Sequence, residues 1–350
     1  MNELSSAKRI LVFNPSFIGD AILTTPLIKA IRKLAPNAQI DLCIRPESAP
    51  LLKKISLFNV LTYDKYGTDK GLNGFIRLAT RLKAAEYDIA FVLHKSFRST
   101  LLMKLAKIPL LIGYKQAALS FLLDKRTNRD MSLHEVERCL SLLVLMMKNY
   151  TLSDAKTLGG LPLTHLDERY YNNLKDYYKV ICGGKRVVGL CPGSTWNTKM
   201  WCADSFVQLA QKLHTIGFAV AIIGGPSDVF ATDTVRTKLD FEYFDFANKV
   251  PFELIPAVIK SLDVLVCNDS APLHIAVSQS VPVVAIFGAT VPSLGFAPYG
   301  SSRYVIVEDT TLDCRPCGPH GSKSCPQKHF KCMNNISPEK VVNAMLYLLE

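Results

Sequence analysis

Three short stretches carry residue types suited to a phosphorylated ligand, and each lies where an apolar run gives way to a helical pattern. Pro15-Ser16-Phe17-Ile18-Gly19-Asp20 sets a carboxylate at a helix start, behind a glycine that permits close approach of a ligand. An ordinary helix cap would use the same Asp. Residues 192–201 offer the Ser194 and Thr195 hydroxyls and nearby amides to a diphosphate, and the Lys199 ammonium to charge building on a leaving phosphate. A polar surface loop with a solvated lysine would look alike. Asn268-Asp269-Ser270-Ala271-Pro272-Leu273-His274 follows an apolar run, with Ser270 as a cap and Pro272 in a first turn whose N–H groups favour an anion. A plain capped helix explains these residues too, and His274 suits a structural role as well as a catalytic one.

Several other chemistries lack their signatures. There is no G-x-x-x-x-G-K-[ST] loop, no G-x-G-x-x-G after a strand, and no Asp-x-Asp pair to hold a divalent metal on a nucleotide diphosphate. The formal charge of +11 suits an anionic partner: a nucleic acid, an anionic membrane face or a phosphorylated substrate. Against nucleic acid, no zinc-finger spacing, RNA-recognition aromatic motif or basic helix with heptads occurs.

The loops need a scaffold, and the apolar periodicity supplies one. Residues 10–13 read as a strand and 20–34 as a helix with Leu23, Leu27, Ile31 and Leu34 on one face. Strands at 40–44, 59–63 and 89–93 follow, with a helix at 72–85; residues 95–129 are basic and less regular, and 134–147 read as an apolar helix. After the Gly-bearing stretch 151–184 the pattern repeats, with strands at 187–191, 219–223, 264–267 and 283–287. Helices are expected at 203–216, 252–262, 272–279 and 338–349.

This alternation predicts an α/β chain of two doubly wound, Rossmann-like domains facing a central cleft, with ligands at the carboxyl ends of the strands. The expected domains are 1–165 and 166–350, the closing helix 338–349 being able to pack back on the first. A length of 350 residues with 49% hydrophobic content suits two cores. No apolar run approaches the roughly 18 residues of a membrane span, and residues 1–8 lack the apolar centre of a signal peptide, so a cytoplasmic protein is expected.

Six cysteines, Cys43, Cys139, Cys182, Cys191, Cys202 and Cys267, sit among apolar neighbours as buried thiols do in a reducing compartment. Cys314, Cys317, Cys325 and Cys332 instead crowd one segment with His320 and His329. Cys-x-x-Cys with two later cysteines admits a structural zinc. The later spacings of 7 and 6 residues differ from a standard knuckle, and reduced loop thiols are the other reading.

In register along the chain, Ile18-Gly19-Asp20, Pro192-Gly193-Ser194-Thr195 through Lys199 and Trp201, Ile223-Gly224-Gly225-Pro226 and Asn268 to His274 resemble the ADP-heptose:lipopolysaccharide heptosyltransferases. The segment 314–333, with Cys325-Pro326 and with His329 before Cys332-Met333, is similar to the heptosyltransferase II type, so the resemblance spans nearly the entire chain. It implies a GT-B glycosyltransferase whose N-terminal domain receives the acceptor and whose C-terminal domain holds the nucleotide sugar. The implied reaction is inverting transfer of heptose from ADP-heptose to the inner core of lipopolysaccharide. The resemblance further implies that no metal or cofactor is required and that the protein sits peripherally at the inner membrane, and no nucleic-acid partner is expected.

By the same resemblance Asp20 is the general base on the acceptor hydroxyl. Ser194, Thr195 and the catalytic Lys199 hold the diphosphate, and Asp269, Ser270, Ala271 and His274 form the second donor loop. Ala271 stands where a glycine is commoner, which alters any contact needing bare backbone. Gly19, His94, Lys95, Ser96 and Arg98 are candidates for the acceptor's carboxylates and phosphates, a basic solvated face being the alternative. A related GT-B transferase with another nucleotide sugar or acceptor is a second reading, and a non-catalytic binder of nucleotide sugar or anionic lipid a third. A base together with a diphosphate-facing lysine argues for catalysis.

Overall fold

The computed structural model describes residues 3–300 and 303–350; Met1 and Asn2, with which the first expected domain opens, lie outside the described residues. The chain divides into two compact units, one ending at His165 and the other beginning at Leu166.

The first unit is built on six parallel strands: β1 (Arg9–Phe13), β2 (Gln39–Ile44), β3 (Asn59–Thr62), β4 (Ile89–Val92), β5 (Leu110–Tyr114) and β6 (Lys125–Thr127). Their order across the sheet is β3-β2-β1-β4-β5-β6. Burial follows position: Ile10 to Phe13 and all of β4 are buried on both faces, as the central strands of a helix-covered parallel sheet must be, while β3 and β6 at the edges are part-exposed. The helix Ile18–Leu34 buries Leu23, Leu27 and Ile31. It also tolerates Pro26, because the Ile22 carbonyl left without a backbone donor accepts the Thr25 hydroxyl at 2.7 Å.

The second unit repeats the plan with β7 (Val187–Cys191), β8 (Ala219–Ile222), β9 (Phe244–Asp245), β10 (Val264–Asn268), β11 (Val283–Phe287) and β12 (Tyr304–Glu308), ordered β12-β11-β10-β7-β8-β9 and all parallel. Each sheet therefore reverses its winding beside its first strand, between β1 and β4 in one and between β7 and β10 in the other. In open α/β sheets the loops leaving such a switch point diverge to opposite faces and leave a crevice where ligands bind.

Two expectations change. The basic stretch 95–129 is regular, folding as the helix Phe97–Leu105 followed by β5 and β6. Cys202 is exposed, just before the helix Ala203–Thr215, unlike the five buried thiols with which it was grouped. The closing helix Pro338–Leu349 buries Val341, Met345 and Leu348 in the second unit's own core. Among the described residues no helix is long and apolar enough to cross a membrane.

Candidate active site

The residues singled out in the first unit gather at its switch point. Asp20 occupies the first turn of the helix after β1, where its carboxylate accepts the Phe17 N–H at 3.1 Å, and Gly19 is helical beside it. Negative charge is favoured there by the helix dipole. The loop is held from below by Asn14, 4% exposed, whose amide donates to the Thr24 hydroxyl at 2.8 Å and whose side-chain oxygen accepts the Ser16 hydroxyl at 2.7 Å. Thr24 in turn donates to the Asp20 carbonyl at 2.8 Å, closing a polar chain around the loop.

The neighbouring β4 exit is tied to β1 by the Leu93 N–H on the Phe13 carbonyl at 3.1 Å. His94 Nδ1 lies 2.7 Å from the Ser99 hydroxyl; burial, and then the charges of Lys65 and Lys95, push its pKa down to about 4. Ser96 caps the helix Phe97–Leu105, accepting the Ser99 N–H at 3.3 Å, so part of its hydrogen-bonding capacity is structural. Lys95 is exposed, yet partial desolvation and the nearby Arg129 lower its pKa. Arg98 turns aside, donating to the Gly71 carbonyl at 3.2 Å with its guanidinium 5.1 Å from the Phe75 ring centre. Behind them Glu135 accepts from both Arg129 and the fully buried Arg138, so Glu135 and Arg138 pair with each other.

In the second unit the loops after β7 and β10 meet. Lys199 Nζ lies 2.7 Å from Asp269 Oδ2, with the two side chains 15% and 5% exposed. Asn268, completely buried at the end of β10, joins the loops: its amide donates to the Pro192 and Gly193 carbonyls at 2.9 and 3.2 Å, and its oxygen accepts the Trp201 N–H at 3.0 Å. One side chain thus grips both ends of the loop that carries Ser194, Thr195 and Lys199. Ser194 is half-buried and Thr195 exposed. Ser270 stands at the cap position of the helix Ala271–Ser278, but its hydroxyl donates back to the Asn268 carbonyl at 3.3 Å instead of capping as expected. Ala271 opens that helix, and His274 is buried one turn further in.

Sequence reasoning missed the supports. Thr290, 2% exposed, donates its hydroxyl to Asp269 Oδ2 at 2.7 Å. Thr198 exchanges hydrogen bonds with Ser322, its N–H donating at 3.1 Å and its hydroxyl accepting the Ser322 N–H at 2.8 Å. The cysteine-bearing segment therefore lies on the Lys199 loop; a Cβ at Gly321 would come within 2.9 Å of the Lys199 side chain. Asn268 had a legible signal, a polar residue ending the apolar run Val-Leu-Val-Cys. Thr290, Thr198 and Ser322 had none. Cys314 Sγ lies 4.0 Å from His329 Nε2, and among the described residues no three Cys, His, Asp or Glu side chains gather to hold a metal ion.

The loop after β7, which carries Ser194, Thr195 and Lys199, and the start of the helix Ala271–Ser278 are thus brought together at the second switch point by Asn268 and the Lys199–Asp269 pair. The structure of the glycosyltransferase family 9 protein from Veillonella parvula aligns with a TM-score of 0.84 at 23% identity, over 100% of this chain and 98% of that one. The Escherichia coli ADP-heptose lipopolysaccharide heptosyltransferase II aligns at 0.78 and 23%, over 97% and 98%. These likenesses establish the GT-B fold. In sequence, lipooligosaccharide heptosyltransferase 2 of Haemophilus influenzae is 27% identical over 97% of this chain and 99% of its own. The family described as glycosyltransferase family 9 (heptosyltransferase) matches residues 75–329. With most of its length covered by that match, the chain belongs to glycosyltransferase family 9 and is a glycosyltransferase.

Proposed function

We propose that this enzyme transfers heptose from ADP-heptose to the inner core of lipopolysaccharide with inversion at the anomeric carbon. The observation that carries the donor half is the Lys199–Asp269 pair at the second switch point, beside Ser194 and Thr195. Such a pair gains about 4 kcal/mol of Coulomb energy at an effective dielectric near 20, most of which desolvation of the two groups offsets. Stability is therefore a poor reason to bury it, whereas neutralising a leaving diphosphate is a good one. Lys199 and the amides of its loop take up the charge that grows on ADP as the glycosidic bond breaks, the work a divalent cation does elsewhere.

Asp20 supplies the base. A carboxylate at a helix N-terminus is a weak base, so it takes the acceptor proton late, once the hydroxyl has begun to bond to an oxocarbenium-like carbon. His94, kept neutral near pH 7, and Lys95 bind the acceptor's hydroxyl and acidic groups. Acceptors of the inner core bring this positively charged protein to the face of the inner membrane.

The test is incubation with ADP-heptose and truncated-core acceptors, followed by mass analysis of the product, with and without EDTA. Addition of one heptose in both conditions is expected. No transfer from ADP-heptose, with transfer from another nucleotide sugar, would replace the donor assignment; abolition by EDTA would remove the metal-free step.

A further inference from the structure

The cysteine-bearing segment, which touches the Lys199 loop through Ser322, also braces the turn after β11. Arg315, with a side chain 4% exposed, spreads its guanidinium over the turn after β11, bonding the Gly288 carbonyl, the Thr290 carbonyl at 2.9 Å and the Glu308 carboxylate at 2.7 Å. The Cys317 N–H adds a bond to the Ala289 carbonyl at 2.9 Å. This turn is therefore fixed on both sides, and Thr290 is the polar side chain it buries.

We propose that Thr290 is a positioning residue for sugar transfer: its hydroxyl, placed by Arg315 and the Cys317 amide, orients the Asp269 carboxylate that holds Lys199. The inference rests on the donor reading above. Thr290 Oγ1 and Lys199 Nζ converge on the same carboxylate oxygen, each at 2.7 Å. Rotation of the carboxylate would break both bonds, so the threonine restricts the lysine to one place. A lysine has a flexible four-carbon stem and no fork geometry of its own, and such restraint sets where its charge falls in the transition state. Because ground-state binding tolerates a small displacement better than transition-state stabilisation does, the loss should appear in kcat more than in donor affinity.

Thr290→Val keeps the shape and removes the hydroxyl. The expected result is a fall in kcat of about tenfold, typical of one lost hydrogen bond to a charged group, with ADP affinity within about threefold and little change in melting temperature. Thr290→Ser should recover most of the rate. In a Lys199→Gln background, followed in single turnovers, Thr290→Val should cost less than about twofold more, since partners in one chain of interactions are not additive. Thr290→Ala serves in the same cycle if the valine variant does not fold. A parental kcat in the Val variant, no recovery with Ser, or a fully additive loss without Lys199 would each overturn the proposal. If Lys199→Gln alone left rate and ADP affinity unchanged, it is the donor reading that would fall.

Discussion

The protonation of His94 is set by its surroundings. Burial, helped by the positive charges of Lys65 and Lys95, holds its folded pKa near 4, against 6.5 for the free side chain. A histidine with a depressed pKa binds fewer protons folded than unfolded, so its effect on stability is nil above pH 6.5. It becomes a growing penalty as pH falls and is complete below about 4. Denaturant titrations of the parent and of His94→Asn should therefore diverge between pH 6.5 and 4, the parent losing stability faster; parallel curves would place a charged imidazole in the folded protein. Asp20, Lys199 and Asp269 were legible as single residues because each sits in a motif beside a strand end. Thr290 and Arg315 were not, since the contacts that give them a role come from folding and no spacing encodes them.

At the scale of elements, the two units use one device. A buried asparagine lies at the carboxyl end of a central strand in each: Asn268, ending β10, satisfies backbone groups of the loop after β7, and Asn14, after β1, bonds the Ser16 and Thr24 hydroxyls around its own loop. Replacing Asn268 by Ala strands two buried carbonyls and the Trp201 N–H, and should cost about 2–4 kcal/mol in chemical denaturation, with weaker ADP binding. A loss below about 0.5 kcal/mol would show that the loop holds itself. Most interior strands were plain in the sequence because burial on both faces writes continuous apolar runs, but the buried β5 was hidden among the basic residues of 95–129. β6, Lys-Arg-Thr, and the two-residue β9 were not plain either, since part-exposed edge strands are short and carry polar side chains.

At the scale of the whole molecule, two sheets of identical winding place one candidate group of residues each at a switch point. Alternating strands and helices announced the doubly wound class, but the strand order that creates the switch points is decided by packing and crossover handedness, which periodicity does not record.

The central claim is a division of labour, with proton removal by Asp20 in the first unit and donor binding in the second. It is tested most directly by measuring turnover with ADP-heptose and ADP affinity side by side in Asp20→Ala. The account predicts that transfer falls by at least about 10²-fold, the scale of a lost general base, while ADP binds as in the parent. Turnover within a few-fold of the parent would contradict it.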